Sequence, residues 1–323
     1  MKKKVSFKGM IEVLKNCFSG FSDDKVTKLS ASLAYYTVFS MAPLLIVIIS
    51  LCSALLGREA VEGKIYAQLA GFVGSDTAAQ LQQIIKNASL AGKSQIAFIV
   101  GSITLLVGAT TVFAEIQESI NMIWGLKPKP KRGWLKMIQN RLLSFSVIAS
   151  LGFLLLVSLG VTAIIDGFSA RLTAYFPEVT VVVFYIINIV ISLAVITLIF
   201  GVIFKVLPDA TIKWKDILAG AIATAVLFML GKFAISYYIS KINVGSTYGT
   251  AGSLVVLLLW IYYSSIILYF GAEFTKAYAV KYGSEIHPNH YAVTTKMVEV
   301  ETGNKSIQSK EATDIKTSEH AKE

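Results

Sequence analysis

The chain has 323 residues, of which 54% are hydrophobic and only 15% charged, with a formal net charge of +10. Soluble domains carry about 25% charged residues, so this composition, with a mean hydropathy of +0.64, excludes an ordinary soluble enzyme and points to a chain solvated partly by lipid.

The N-terminal segment, 1–32, opens with Met1-Lys2-Lys3-Lys4 and carries further lysines at 8, 15, 25 and 28. Residues 5–30 are mixed polar with no apolar h-region, so a cleaved signal peptide is not expected. Long apolar runs follow, five of them uncharged and the one over 217–240 interrupted by Lys232, each long enough to cross about 30 Å of hydrocarbon with about 20 helical residues. They predict an all-α, polytopic membrane domain over 33–282, with six spans at about 33–56, 96–116, 142–165, 179–204, 217–240 and 250–272. In lipid the backbone must bond within its own segment, which makes helices the expected form.

Between spans 1 and 2, Ile65, Leu69, Phe72 and Val73, then Leu81, Ile84 and Ile85, recur at helical spacing around Gly74-Ser75-Asp76. Two short amphipathic helices are expected there, as a packed lid or as a gate on the outer face. Basic residues mark the opposite side. The loop after span 2 holds Lys127, Lys129, Lys131, Arg132 and Lys136, and the loop after span 4 holds Lys205, Lys213 and Lys215. The loops after spans 3 and 5 hold only Arg171 and Lys241. This alternation places both termini in the cytoplasm. The positive charge therefore reads as topology and attraction to anionic lipid heads rather than nucleic-acid binding. From Gly283 to Glu323 the chain turns polar and is expected to be a disordered cytoplasmic tail.

Ionisable groups inside a span are costly and are functional candidates by default. Lys232 lies in span 5, roughly 6 Å beyond its centre toward the outer face at a helical rise of about 1.5 Å per residue. Asn188 of span 4 falls at a similar depth, so a Lys232–Asn188 contact is geometrically open; the alternative is a lysine that snorkels outward or bonds a carbonyl. Glu115 repeats with Glu118, Asn121 and Trp124 at three- and four-residue spacing, giving one polar helix face near the inner end of span 2. Arg141 opens span 3 on the same side, which allows an inner-surface Glu115–Arg141 pair that fixes a helical hairpin. Glu273 ends span 6 beside Lys276, as an interfacial residue of a short helical extension. Pro43 frees a carbonyl in span 1 and can kink it around a cavity. The glycines at 101, 108, 152, 160, 220, 231, 252 and 271 read as close helix packing.

Enzyme signals are sparse. All three histidines, His287, His290 and His320, lie beyond the last span, and no P-loop, dinucleotide fingerprint or nucleophile elbow is present. No cofactor or metal is expected. Cys17 and Cys52 lie at opposite ends of the first span region, so no disulfide is expected between them.

Four stretches carry a family resemblance. They are Leu29-Ser30-Ala31-Ser32-Leu33-Ala34-Tyr35-Tyr36 through Ser40-Met41-Ala42-Pro43; Ser119-Ile120-Asn121-Met122-Ile123-Trp124; Leu207-Pro208-Asp209-Ala210 with Trp214 and Ala219-Gly220; and Tyr248-Gly249-Thr250-Ala251-Gly252-Ser253 leading to Trp260, Tyr262-Tyr263 and Gly271-Ala272-Glu273. In order and spacing they resemble the YihY/BrkB family of bacterial inner-membrane proteins, over residues 25–280. The resemblance implies a six-span bundle of poorly defined activity, with links to envelope lipid handling and ion tolerance, and adds Tyr248 to the candidate residues. Some members carry a ribonuclease BN label, but a zinc nuclease needs clustered histidine and carboxylate ligands, and this chain has no histidine before position 287. Transport of a lipid or amphiphile is the leading expectation. An ion- or proton-coupled exchanger and a non-transporting envelope scaffold are the alternatives, with membrane lipids, a second copy or an envelope protein as partners.

Overall fold

A computed structural model describes residues 6–40, 95–129, 177–241, 252–283 and 286–295. The first helix, α1 (Phe7–Asp23), starts at Ser6, whose extended backbone is left by a hydroxyl that accepts from the Gly9 amide at 3.2 Å. It ends where Asp24 N–H donates to the Gly20 carbonyl at 2.8 Å and Lys25 turns to a φ of 52°. A second helix, α2, begins at once and is described over residues 26–40. The basic N-terminal segment therefore holds a seventeen-residue helix whose signal, apolar residues at positions 7, 11, 14 and 18 between lysines, is easily hidden by the high polar content.

Helix α3 (Gln95–Ile123) covers the second expected span, and its Ile116, Ile120 and Ile123 form a buried stripe. Gly125 closes it with a φ of +67°, a left-handed position that glycine adopts without strain. Strand β1 (Leu126–Pro128) follows. Helices α4 (Pro177–Val206), α5 (Trp214–Lys241) and α6 (Gly252–Tyr282) cover the fourth, fifth and sixth expected spans, with strand β2 (Ala210–Thr211) between the first two. Among the described residues, three helices, over Ile189–Val206, Trp214–Lys232 and Leu254–Tyr282, are long and apolar enough to cross a membrane. Span 3, most of span 1 and the outer segment 57–94 lie outside the described residues.

Helices α5 and α6 meet through a reciprocal pair of glycines. Gly220 abuts Thr275, and Gly271 abuts Thr224. Each threonine hydroxyl donates back to the glycine carbonyl four residues earlier on its own helix, Thr224 to Gly220 and Thr275 to Gly271, both at 2.7 Å. Small residues let backbones approach where lipid gives no hydrophobic drive for association. Helix α4 joins through Gly201 against Ala221 and an edge-on Phe200–Phe228 contact at 5.9 Å. The buried core is built from Val26, Leu33, Ile120, Ile123, Phe204, Leu207, Ile217, Ala221, Leu268 and Tyr269. These residues place it where α3 and α4 end and α5 begins.

The segment after α6 departs from the expected disordered tail. Residues 287–288 form β3 (His287–Pro288), and 292–294 form β4 (Ala292–Thr294). Strand β3 pairs antiparallel with β2, Thr211 opposite His287, and β4 pairs antiparallel with β1, Lys127 opposite Val293. The reason is tertiary: two loops distant in sequence supply the partner strands, and Ala292 supplies a buried side chain. Residues 296–323 lie outside the described part.

Candidate functional site

Two polar clusters sit at the core end of the bundle. The first surrounds Asp209, in the loop between α4 and β2, which is 2% exposed. Its carboxylate accepts from Gln117 Nε2 at 3.0 Å, Asn121 Nδ2 at 2.9 Å and Tyr291 Oη at 3.1 Å. Its amide donates to Asn121 Oδ1 at 2.8 Å, and its carbonyl accepts from the Asn289 amide at 3.0 Å. One residue thus ties α3, the α4–α5 loop and the β3–β4 segment together. Gln117, Asn121 and Trp124 lie four and three residues apart on α3, which turns them to one buried face. The sequence pattern had grouped Asn121 and Trp124 with Glu115 and Glu118. The structure instead leaves Glu118 exposed and Glu115 half-buried, and puts Gln117 in the polar stripe.

The second cluster joins α1, α3 and α6. Glu273 is 2% exposed because α1 covers it. Gly20 makes room for it: a Cβ there would lie 2.6 Å from Glu273 Oε2. Lys276 Nζ lies 3.7 Å from Glu273 Oε2 and 3.4 Å from Asp24 Oδ2, and it also donates to the Ile123 carbonyl. Trp124 Nε1 donates to the Ala272 carbonyl at 3.1 Å. Among the described residues, the buried Glu273 Oε1 and Ser30 Oγ have no hydrogen-bond partner, and the buried Tyr269 hydroxyl has only Ser119 near it. Tyr269 and Glu273 are one turn apart on α6, and Ser30 lies on the α2 stripe between Val26 and Leu33 that packs into the same core as Tyr269. Cys17, on α1, is a free, buried thiol. It donates to the Phe270 carbonyl at 3.6 Å, and burial first, with the Glu273 charge second, pushes it from about 9 up to about 12.

Lys232 stands elsewhere. It continues the α5 stripe of Ile217, Ala221, Ala225 and Phe228 at spacings of four, four, three and four, yet those residues pack into the core and Lys232 is exposed. On that stripe Phe228 and Ile235, either side of Lys232, are half-buried, so the face is less covered at this end than around Ile217 and Ala221. Asn188 lies in α4, but its side chain is outside the described residues, as are Pro43, Arg141 and Tyr248, so the Lys232–Asn188 and Glu115–Arg141 pairs are not among the described contacts. Sequence reasoning missed Asp209, Gln117, Asp24 and Tyr291. The signal for Asp209 is a carboxylate between the lysines at 205 and 213, in a loop that also holds Asp216.

A family model described as virulence factor BrkB matches residues 17–294. The chain belongs to the BrkB family. Within it, the chain is 26% identical to a UPF0761 membrane protein of Ralstonia nicotianae over 257 residues, covering 77% of this chain and 55% of that protein. It is 26% identical to a UPF0761 membrane protein of Pseudoalteromonas atlantica, covering 82% and 85%, and 29% identical to one of Stenotrophomonas maltophilia, covering 80% and 59%. This BrkB-family chain spans little more than half the length of the Ralstonia and Stenotrophomonas relatives. No solved structure matches. All three relatives are named as membrane proteins, without an activity.

Proposed function

We propose that this BrkB-family chain is a six-span protein of the bacterial inner membrane, with both termini in the cytoplasm, that moves an anionic lipid or amphiphile between leaflets. The observation that carries the reading is the exposed Lys232 in register with the buried stripe of α5. A cation within a span costs about 2.5–3.5 kcal/mol on insertion scales. Lys232 has an interaction within the protein; a lipid phosphate that reaches its exposed side chain adds to that contact, and a transient contact of this kind lowers the barrier for a headgroup crossing the apolar layer. The tight seal at the other end, built from the Asp209 and Glu273 clusters and the Gly–Thr pairs, supports a bundle closed inside and accessible outside.

The test is transfer of fluorescent phosphatidylglycerol and phosphatidylcholine analogues in proteoliposomes. The expected result is faster transfer of the anionic analogue than in empty vesicles, reduced in Lys232→Met. No transfer above empty vesicles for several lipid classes would overturn the reading.

A second reading, proton- or cation-coupled exchange, is favoured by the buried Glu273 carboxyl, which sits with Lys276 against Gly20 of α1 and has one oxygen, Oε1, without a hydrogen-bond partner. There, Glu273→Gln abolishes flux driven by a pH gradient, and unchanged flux excludes the role.

A further inference from the structure

Helix α1 has two apolar faces. Gly9, Val13 and Cys17 are buried against α6, where Phe274, Ala277, Tyr278 and Tyr282 receive them. On the other face Phe7, Ile11, Leu14 and Phe18 are 83%, 52%, 39% and 63% exposed. At about 100° per residue their spacing of four, three and four gathers them within about 60° of arc. Four large apolar side chains aligned on one helix are not scattered surface residues and require a cover.

Three observations identify that cover as lipid. Lys8 and Lys15 follow the stripe at its edge, one and four residues on from Phe7 and Ile11, and Lys2, Lys3 and Lys4 precede it in the sequence. The acidic Glu12 is turned to an ion pair with Lys281 of α6. The stripe also runs into α6: the Phe18 ring meets Phe270 edge-on at 5.2 Å, and Val280 of α6 is itself exposed. Helix α6 is one of the helices long and apolar enough to cross a membrane, so its exposed side and the α1 stripe form one apolar surface bordered by lysines.

We propose that α1 is embedded in the inner leaflet, with Phe7, Ile11, Leu14 and Phe18 among the acyl chains and Lys8 and Lys15 at the phosphates of anionic lipids. Helices of this pattern lie in the headgroup–acyl boundary, and basic residues there are drawn to anionic lipid. The N-terminal segment is then part of the membrane-embedded protein rather than a cytoplasmic extension. The assignment to the inner leaflet rests on the topology proposed above.

The test uses the full chain in a Cys52→Ser background, with Cys17 left in its buried position. Environment-sensitive labels are placed at Ile11→Cys, Phe18→Cys and, on the far side of α1, Asn16→Cys, in vesicles of phosphatidylglycerol and phosphatidylcholine that contain a spin-labelled quencher lipid. The labels at 11 and 18 lose most of their emission, and the label at 16 does not. Lys8→Gln with Lys15→Gln lowers that quenching in anionic vesicles and leaves it unchanged in zwitterionic ones. Phe18→Trp with brominated lipids repeats the measurement without an added label. Equal quenching at all three positions, or crosslinks between copies through 11 and 18 without lipid quenching, overturns the proposal. Labelling of Asn16→Cys by an impermeant maleimide in spheroplasts separates the two readings. It would refute the inside topology while lipid quenching persists, whereas lost quenching with a protected Asn16→Cys refutes the embedding alone.

Discussion

Replacing Asp209 with alanine tests the claim that one carboxylate fastens the closed end of the bundle. The substitution removes the acceptor for Gln117 Nε2, Asn121 Nδ2 and Tyr291 Oη, all between 2.9 and 3.1 Å from it. A buried donor left unsatisfied costs about 1–3 kcal/mol. Gln117 and Asn121 are fully enclosed and meet that cost, whereas Tyr291 is partly buried and recovers some of it from water. The expected loss is about 3–5 kcal/mol. Asp209→Asn keeps one carbonyl oxygen and the amide link to Asn121, so about half of that loss is expected. Unfolding of the purified chain in detergent by rising dodecyl sulfate, followed by tryptophan fluorescence, reads the global cost, since Trp124 lies in the same core. Proteolysis between Gly283 and Thr295 reads the local one, because β3 and β4 are held to the bundle through Asn289 and Tyr291. Tyr291→Phe alone costs about 1 kcal/mol and adds little to Asp209→Ala, because both remove the same bond. A midpoint unchanged in Asp209→Ala, with the β3–β4 segment still protected, would refute the reasoning.

Other outcomes follow from the same contacts. Gly271→Ala drives a Cβ into the Thr224 side chain, whose Cγ2 would be 2.7 Å and Cβ 2.9 Å away, and costs about 1–3 kcal/mol in the same unfolding assay; Thr224→Ala, which removes Oγ1 and Cγ2 but keeps that Cβ, recovers part of it, and no recovery at all would locate the clash elsewhere. Gly125→Ala costs about 1 kcal/mol from its left-handed backbone and from the Thr295 carbonyl 2.9 Å from the new Cβ. The Cys17 thiol, held up at about 12, stays unalkylated in the folded chain at pH 8 and reacts once the chain is denatured, as read by mass spectrometry. Because the folded chain keeps that proton and the unfolded chain releases it near pH 9, the stabilisation is complete below pH 9 and fades as pH rises toward 12.

The helices were legible where chemistry is one-dimensional. The expected spans 2, 4 and 6 show themselves as apolar runs and span 5 as a run interrupted by Lys232; α3, α4 and α5 reach past the expected bounds at both ends and α6 at its C-terminal end. Gly220, Gly231 and Gly271 were rightly read as packing residues, since each meets a side chain of the facing helix. What the sequence concealed depends on contacts between distant segments. The burial of Glu273 becomes visible only when α1 is laid over it, and α1 itself does not stand out because its apolar positions are interleaved with Lys8, Glu12, Lys15 and small polar residues. Asp209 acquires its role only when Asn121, 88 residues away, and Tyr291, 82 residues away, converge on it. The segment after Gly283 has the composition of a disordered tail, and its strands exist because two distant loops offer backbone edges to pair with.

The central claim is that an anionic headgroup engages Lys232 at the accessible end of α5. The most direct measurement is a cryo-EM map of the chain in nanodiscs rich in phosphatidylglycerol, with Lys232→Met beside it. The account predicts phosphate density within hydrogen-bonding distance of Lys232 Nζ, lost in the variant while the rest of the bundle is unchanged. A well-ordered Lys232 held only by protein groups, with no lipid density near it in either map, would contradict it.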